Sequence, residues 1–133
     1  MIGLYIHIPF CIKKCHYCNF VITTSGSENK QTEFLSCLEK EMAHYSDRFR
    51  NVLFETLYLG GGTPSSLSEE ALEELLSLVS SHFKFKKEAE ITCEVNPGDL
   101  NEKKIMILKE FGVRRISLGA QTFKEETLKR LNR

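Results

Sequence analysis

Three cysteines fall within eight positions, at Cys11, Cys15 and Cys18, and no other part of the sequence is better equipped for chemistry. Thiolates are soft ligands, and three of them on one short loop can wrap a metal centre. Zinc would want a fourth donor, which His16 inside the loop, or His7 or Cys37 from further away, could supply. An iron–sulfur cluster held by three cysteines would instead keep one iron open for a small molecule. The motif favours the cluster and leaves zinc as the alternative, the core of a zinc-stabilised interaction module. Five cysteines in total is an odd count, which reads poorly as a disulfide framework and suits a reducing compartment. Cys37 and Cys93, on a helix and on an outward strand face, read as buried hydrophobes.

Other residues could serve a ligand beside such a centre. Gly60-Gly61-Gly62-Thr63-Pro64 lets a ligand approach backbone amides closely, yet no Gly-Lys-Ser/Thr follows to make a phosphate loop. Glu94 could accept hydrogen bonds from ribose hydroxyls, and Gln121 offers both donors and acceptors. Each also has an ordinary reading: Glu94 as a solvated strand end, Gln121 as a helix-entry residue, Tyr5 and Tyr17 as packing aromatics.

These residues must be held by regular elements. Leu4–Ile8, Val52–Leu59, Glu90–Val95 and Arg115–Leu118 are short apolar runs that predict strands. Between them Phe34, Leu38, Met42, Tyr45 and Phe49 recur at helical spacing, as do Leu72, Leu75, Leu76, Val79 and Phe83, and then Ile105, Leu108 and Phe111. Ser68 before Glu69 and Glu70 predicts a helix start, and Gly112 a helix stop. Thr122 with Glu125 predicts a capping box opening a fourth helix, and 23–29 a polar loop. Alternating strands and helices imply a parallel α/β sheet, either doubly wound or the first part of a (β/α) barrel. One strand face is polar in three of the four strands, which suits a ligand-holding lumen and favours the barrel. Four strands cannot close one, so residues 1–133 are expected to be the amino-terminal portion of a longer core domain. The cysteines, the glycine run, Glu94-Val95-Asn96-Pro97 and Gly119–Gln121 all fall at the carboxyl ends of these strands, where β/α sites form.

The rest of the composition is ordinary. Of 133 residues, 41% are hydrophobic and 27% charged, and eighteen basic residues balance eighteen acidic ones. A net charge of zero removes the electrostatic argument for a nucleic-acid or anionic-membrane partner. No apolar run approaches the ~20 residues of a bilayer span. Met1-Ile2-Gly3-Leu4 does not begin a secretory leader, so a cytoplasmic location is expected.

The cysteine spacing resembles the signature of the radical S-adenosylmethionine (SAM) family. Tyr5-Ile6-His7-Ile8-Pro9-Phe10-Cys11, Tyr17-Cys18-Asn19-Phe20, residues 60–65, residues 94–98 and Arg115 through Phe123 are similar to one subgroup. That subgroup contains the oxygen-independent coproporphyrinogen III oxidases and the haem chaperones of the HemW type. The resemblance implies a [4Fe–4S] cluster on Cys11, Cys15 and Cys18, with SAM on its open iron. Tyr5, Tyr17, Gly61 and Glu94 match the family's positions around that SAM, and Gly62, Thr63, Gln121 and Arg133 those of a second SAM. In the family, reductive cleavage of SAM yields a 5′-deoxyadenosyl radical, the cofactor carrying the difficult chemistry. The oxidase pattern has a further cysteine where this sequence has Phe20, and a long extension before the cluster loop. Both departures favour the chaperone, which binds haem and passes it to acceptor proteins, over the oxidase of porphyrin biosynthesis. A haem or porphyrin ligand, a haem-acceptor protein and a reductant protein are the partners this implies.

Overall fold

The computed structural model describes residues 2–24 and 26–133; Met1 and Ser25, at the leader reading and inside the polar loop, lie outside the described residues. Four strands form one sheet: β1 (Gly3–Ile8), β2 (Leu53–Gly61), β3 (Lys84–Val95) and β4 (Arg115–Leu118). Each pairs in parallel with the next, in the spatial order β1-β2-β3-β4. The connecting helices are α1 (Glu28–Phe49), α2 (Glu69–His82) and α3 (Glu102–Phe111), with α4 (Glu125–Arg130) after β4. Sequential order distinguishes the two architectures, because a doubly wound sheet reverses direction at a switch point and this one does not. α1 packs on α2 and α2 on α3, so the three lie along one face, as in a barrel wall.

The register explains the two faces. Ile6, Leu59, Cys93 and Ile116 stand side by side across the sheet, as do Tyr5, Tyr58, Thr92 and Arg115 on the other face. Ile6, Leu59 and Cys93 of the first row join Leu57, Ile91 and Val95 in a core with Leu35, Met42, Leu72, Leu75, Leu76, Val79 and Leu108 from the helices. In the second row Tyr5 is 54% exposed, whereas Thr92 in the middle of the sheet is buried.

Several expectations need correction. β3 begins six residues before Glu90, because Lys84 and Phe85 pair with Leu53 and Phe54 ahead of a register shift. Its charged residues are exposed there, so burial supplies no pattern that sequence periodicity could detect. The polar loop ends early: Glu28 and Asn29 already belong to α1. Thr122 caps nothing, since α4 starts at Glu125 and Thr122 Oγ1 accepts instead from the Lys124 amide. Cys37 is exposed on α1, whereas Cys93 is fully buried. Ile116 and Leu118, expected against helices, are 45% and 57% exposed on the edge strand. Ser68 does cap α2 by accepting from the Ala71 amide, and Gly112 ends α3 at φ 101°.

Candidate metal and cofactor site

The cysteine loop leaves β1 at Pro9 and is closed at its stem by two backbone bonds, Cys11 N to Thr23 O at 3.0 Å and Thr23 N to Pro9 O at 2.7 Å. Its far side is held by the chain's last residues. The His16 amide donates to Leu131 O (3.1 Å) and Asn132 Nδ2 to Lys14 O (2.8 Å). From below it rests on the glycine run, where the Gly62 amide donates to Ile8 O and the Thr63 amide to Phe10 O, at 2.8 and 2.7 Å. A Cβ at Gly62 would lie 2.6 Å from Phe10 O and 3.1 Å from Cys11 Sγ, so only glycine allows this approach. Gly61, at φ 110°, turns the strand into the loop.

A cavity of about 650 Å³ opens between these loops at the carboxyl ends of the strands. Its wall carries all three loop cysteines with Tyr17, Gly61, Gly62, Thr63, Glu94, Gln121 and Arg133. Of the residues matched to the cluster and SAM positions, Tyr5 alone is not on that wall. It sits deeper on the inner sheet face, its ring beside Tyr58 and its hydroxyl 3.0 Å from His7 Nδ1.

Glu94 is not merely a solvated strand end. Tyr58 OH donates to Oε1 at 2.6 Å and the Gly61 amide to Oε2 at 3.2 Å, so the carboxylate is tied to β2 and to the glycine loop. That bond, then burial, raises the Tyr58 phenol above its ordinary pKa. Gln121 takes a left-handed conformation at φ 61° rather than entering a helix. Burial raises the Cys11 thiol pKa, while the bond between its sulfur and Thr63 Oγ1, at 3.5 Å, pulls the other way. Arg133 brings its guanidinium to Cys15 Sγ (3.7 Å), to Tyr17 OH (3.3 Å), and to Asn96 Oδ1 and Gly119 O. Tyr58 escaped sequence reasoning as a site residue, and Asn96 was placed at the rim of the strand ends but given no role. Asn96 lay in the loop after the third strand, and strand alternation placed Tyr58 on no particular face.

The donor chemistry bears on the two metal readings. His16 turns Nδ1 to Arg130 O at 2.9 Å, the His7 ring is engaged by Tyr5 and by Val21 O, and Cys37 lies on α1. Both ring nitrogens of His7 are thus engaged, and Cys37 is exposed on a helix away from the cavity wall. Among the described residues no three His, Cys, Asp or Glu side chains converge as a single ion would require. A cluster distributes its cysteines over separate irons, so three part-buried thiols around a roomy cavity fit it.

Known proteins agree with this geometry. The chain is 41% identical to the haem chaperone HemW of Bacillus subtilis over its whole length, covering 35% of that protein. Against HemW of Escherichia coli it is 39% identical over 99% of the chain and 35% of the relative. The oxygen-independent coproporphyrinogen III oxidase of Escherichia coli is 33% identical over 99% of the chain and 29% of the relative. The solved structure of the Escherichia coli oxidase HemN, a radical SAM enzyme, superposes with a TM-score of 0.92 at 33% identity, over 99% of this chain and 30% of that one. The chain thus spans about a third of the length of the curated relatives it matches. With residues 5–133 matched by the model of the Radical SAM superfamily, whose members in general use SAM and a [4Fe–4S] cluster, the chain belongs to that superfamily.

Proposed function

We propose that residues 1–133 are the amino-terminal portion of a radical SAM core whose complete protein is a haem chaperone of the HemW type. In this reading Cys11, Cys15 and Cys18 ligate the cluster. Tyr17, Gly61 and Glu94, with Tyr5 beneath them, hold the SAM bound there, and Gly62, Thr63, Gln121 and Arg133 hold a second. The observation that carries it is the convergence of four separate strand-end loops on one cavity with every cysteine of the motif on its wall. Bound there, the cluster supplies the electron for reductive cleavage of SAM. The chain's own part is positional. Tyr58 and the Gly61 amide leave the Glu94 carboxylate oriented to accept from ribose hydroxyls. The guanidinium of Arg133 offsets thiolate charge beside Cys15.

Phe20 favours chaperone over oxidase: it is 64% exposed on the cavity wall and brings no thiol where the oxidase pattern has one. Higher identity to HemW than to the oxidase points the same way. The oxidase remains the second reading, favoured by the close structural match to HemN. A cytoplasmic location, a haem-acceptor protein and a reductant protein belong to the same proposal; among the described residues no helix is long and apolar enough to cross a membrane. The test uses the complete protein, reconstituted anaerobically and given SAM and a reductant. Haem binding and transfer without conversion of coproporphyrinogen III, followed by chromatography, is expected. Turnover of coproporphyrinogen without haem binding would replace the chaperone by the oxidase.

A further inference from the structure

We propose that Thr63 donates a hydrogen bond to the Cys11 sulfur and thereby tunes the cluster, and that Asn96 is the positioning residue that forces it to donate. The direction follows from a chain of obligate donors. A guanidinium only donates, so the Asn96 Oδ1 that meets Arg133 is an acceptor, and the amide nitrogen faces the other way. Nδ2 then donates to Thr63 Oγ1 at 3.0 Å. With that lone pair engaged, the single hydroxyl proton of Thr63 is directed at Cys11 Sγ, 3.5 Å away. A cluster-ligating cysteine is a thiolate and can only accept, which requires the same direction.

The surroundings keep water from substituting for this bond. Thr63 is 4% exposed and its neighbour Ser65 is 1% exposed. Ser65 Oγ accepts from the Asn96 amide (3.2 Å) and donates to Asp99 Oδ2 (3.0 Å), which fixes the backbone from which the Asn96 carboxamide projects. Lys104 Nζ closes the network on Ser65 O at 2.8 Å. A donor to a ligating sulfur stabilises the more negative, reduced cluster, so it raises the reduction potential. This step is separate from any contact of Thr63 with SAM.

The inference rests on the reading that Cys11 is a cluster ligand, and the experiment separates the two. The complete protein is reconstituted anaerobically without SAM, assayed for iron and sulfide, and titrated through its one-electron reduction by electron paramagnetic resonance. Thr63→Val keeps the side chain's shape and removes the donor; Thr63→Ser restores it; Asn96→Leu removes the group that orients it. Thr63→Val is expected to lower the reduction equilibrium constant about tenfold, roughly 59 mV for one electron. Thr63→Ser should match the parent, and Asn96→Leu should shift in the same direction, with no added shift in the Thr63→Val background. Unchanged potentials in cluster-loaded Thr63→Val overturn the inference. If that variant loses its iron, an unshifted Asn96→Leu does so instead. A parent protein that assembles no cluster refutes the functional reading rather than this one.

Discussion

Replacing Gly62 by alanine tests whether the cysteine loop is seated on the glycine run. The added methyl would meet two backbone carbonyls, at 2.6 Å (Phe10 O) and 2.9 Å (Ile8 O), and the Cys11 sulfur at 3.1 Å. Carbonyl oxygens of a strand end cannot swing aside as a side-chain tip can, so the loop must lift by about 0.5–0.8 Å to reach ordinary contact. That movement strains the bonds from the Gly62 and Thr63 amides to the same two carbonyls. Overpacking costs about 1–3 kcal/mol, and weakening two backbone bonds adds about 1 kcal/mol each. A total of about 3–5 kcal/mol corresponds to a drop of roughly 10–20 °C in Tm for a domain near this size. Gly98→Ala is the control: nothing lies within 4 Å of its added methyl, and only the φ of +86° opposes it, at about 1 kcal/mol. Differential scanning calorimetry of the cluster-free protein and iron content after reconstitution are the two readouts. Gly62→Ala should lose both stability and iron, Gly98→Ala a little stability and no iron. Parent-like melting and a full complement of iron in Gly62→Ala would refute the seating argument.

Alanine at Cys11, Cys15 or Cys18 should each abolish stable cluster assembly, while Cys37→Ala and Cys93→Ala keep it; iron and sulfide content decides this. Tyr58→Phe frees one Glu94 oxygen from a 2.6 Å bond. Losing a partly exposed bond to a charged group costs about 1 kcal/mol, so SAM affinity of the cluster-loaded protein, measured by equilibrium dialysis, should fall about fivefold with iron unchanged. Burial, aided by the nearby Glu94 charge, pushes the Cys93 thiol up to about 12. The folded state therefore holds this proton more tightly than the unfolded chain, where the thiol titrates near about 8.5. Its contribution to stability is complete below about 8.5 and declines as pH rises through about 12. Urea denaturation of the cluster-free protein across that window should show a steeper decline for the parent than for Cys93→Ala.

Much of this protein was legible from local pattern. The positions of Ser68 and Gly112 marked a helix start and stop because capping is a matter of a few adjacent residues, and both act as expected. Strand β4 was readable to the residue, since Arg115–Leu118 is bounded by polar and glycine neighbours. The first half of β3 was not, because Lys84 and Phe85 gain their strand character from pairing with β2 and not from an apolar pattern of their own. Thr122 misled for a related reason: a capping-box spacing specifies a possible cap, and the chain there is committed to the left-handed turn at Gln121.

The sequence by itself determined the family. Cysteine spacing, the glycine run and the motif order are properties of residue type and separation, and they identified the family and the wall of its cavity without coordinates. Tertiary structure alone decided which groups act on which. His16, two residues from Cys18 in the chain, is turned away to Arg130, while Arg133, 118 positions from Cys15, is turned towards it. Tyr58 reaches Glu94 and Asn96 reaches Thr63 only because parallel pairing sets strand ends side by side in one register. Hydrogen-bond direction and burial depend on neighbours brought from distant segments, and no local spacing encodes them.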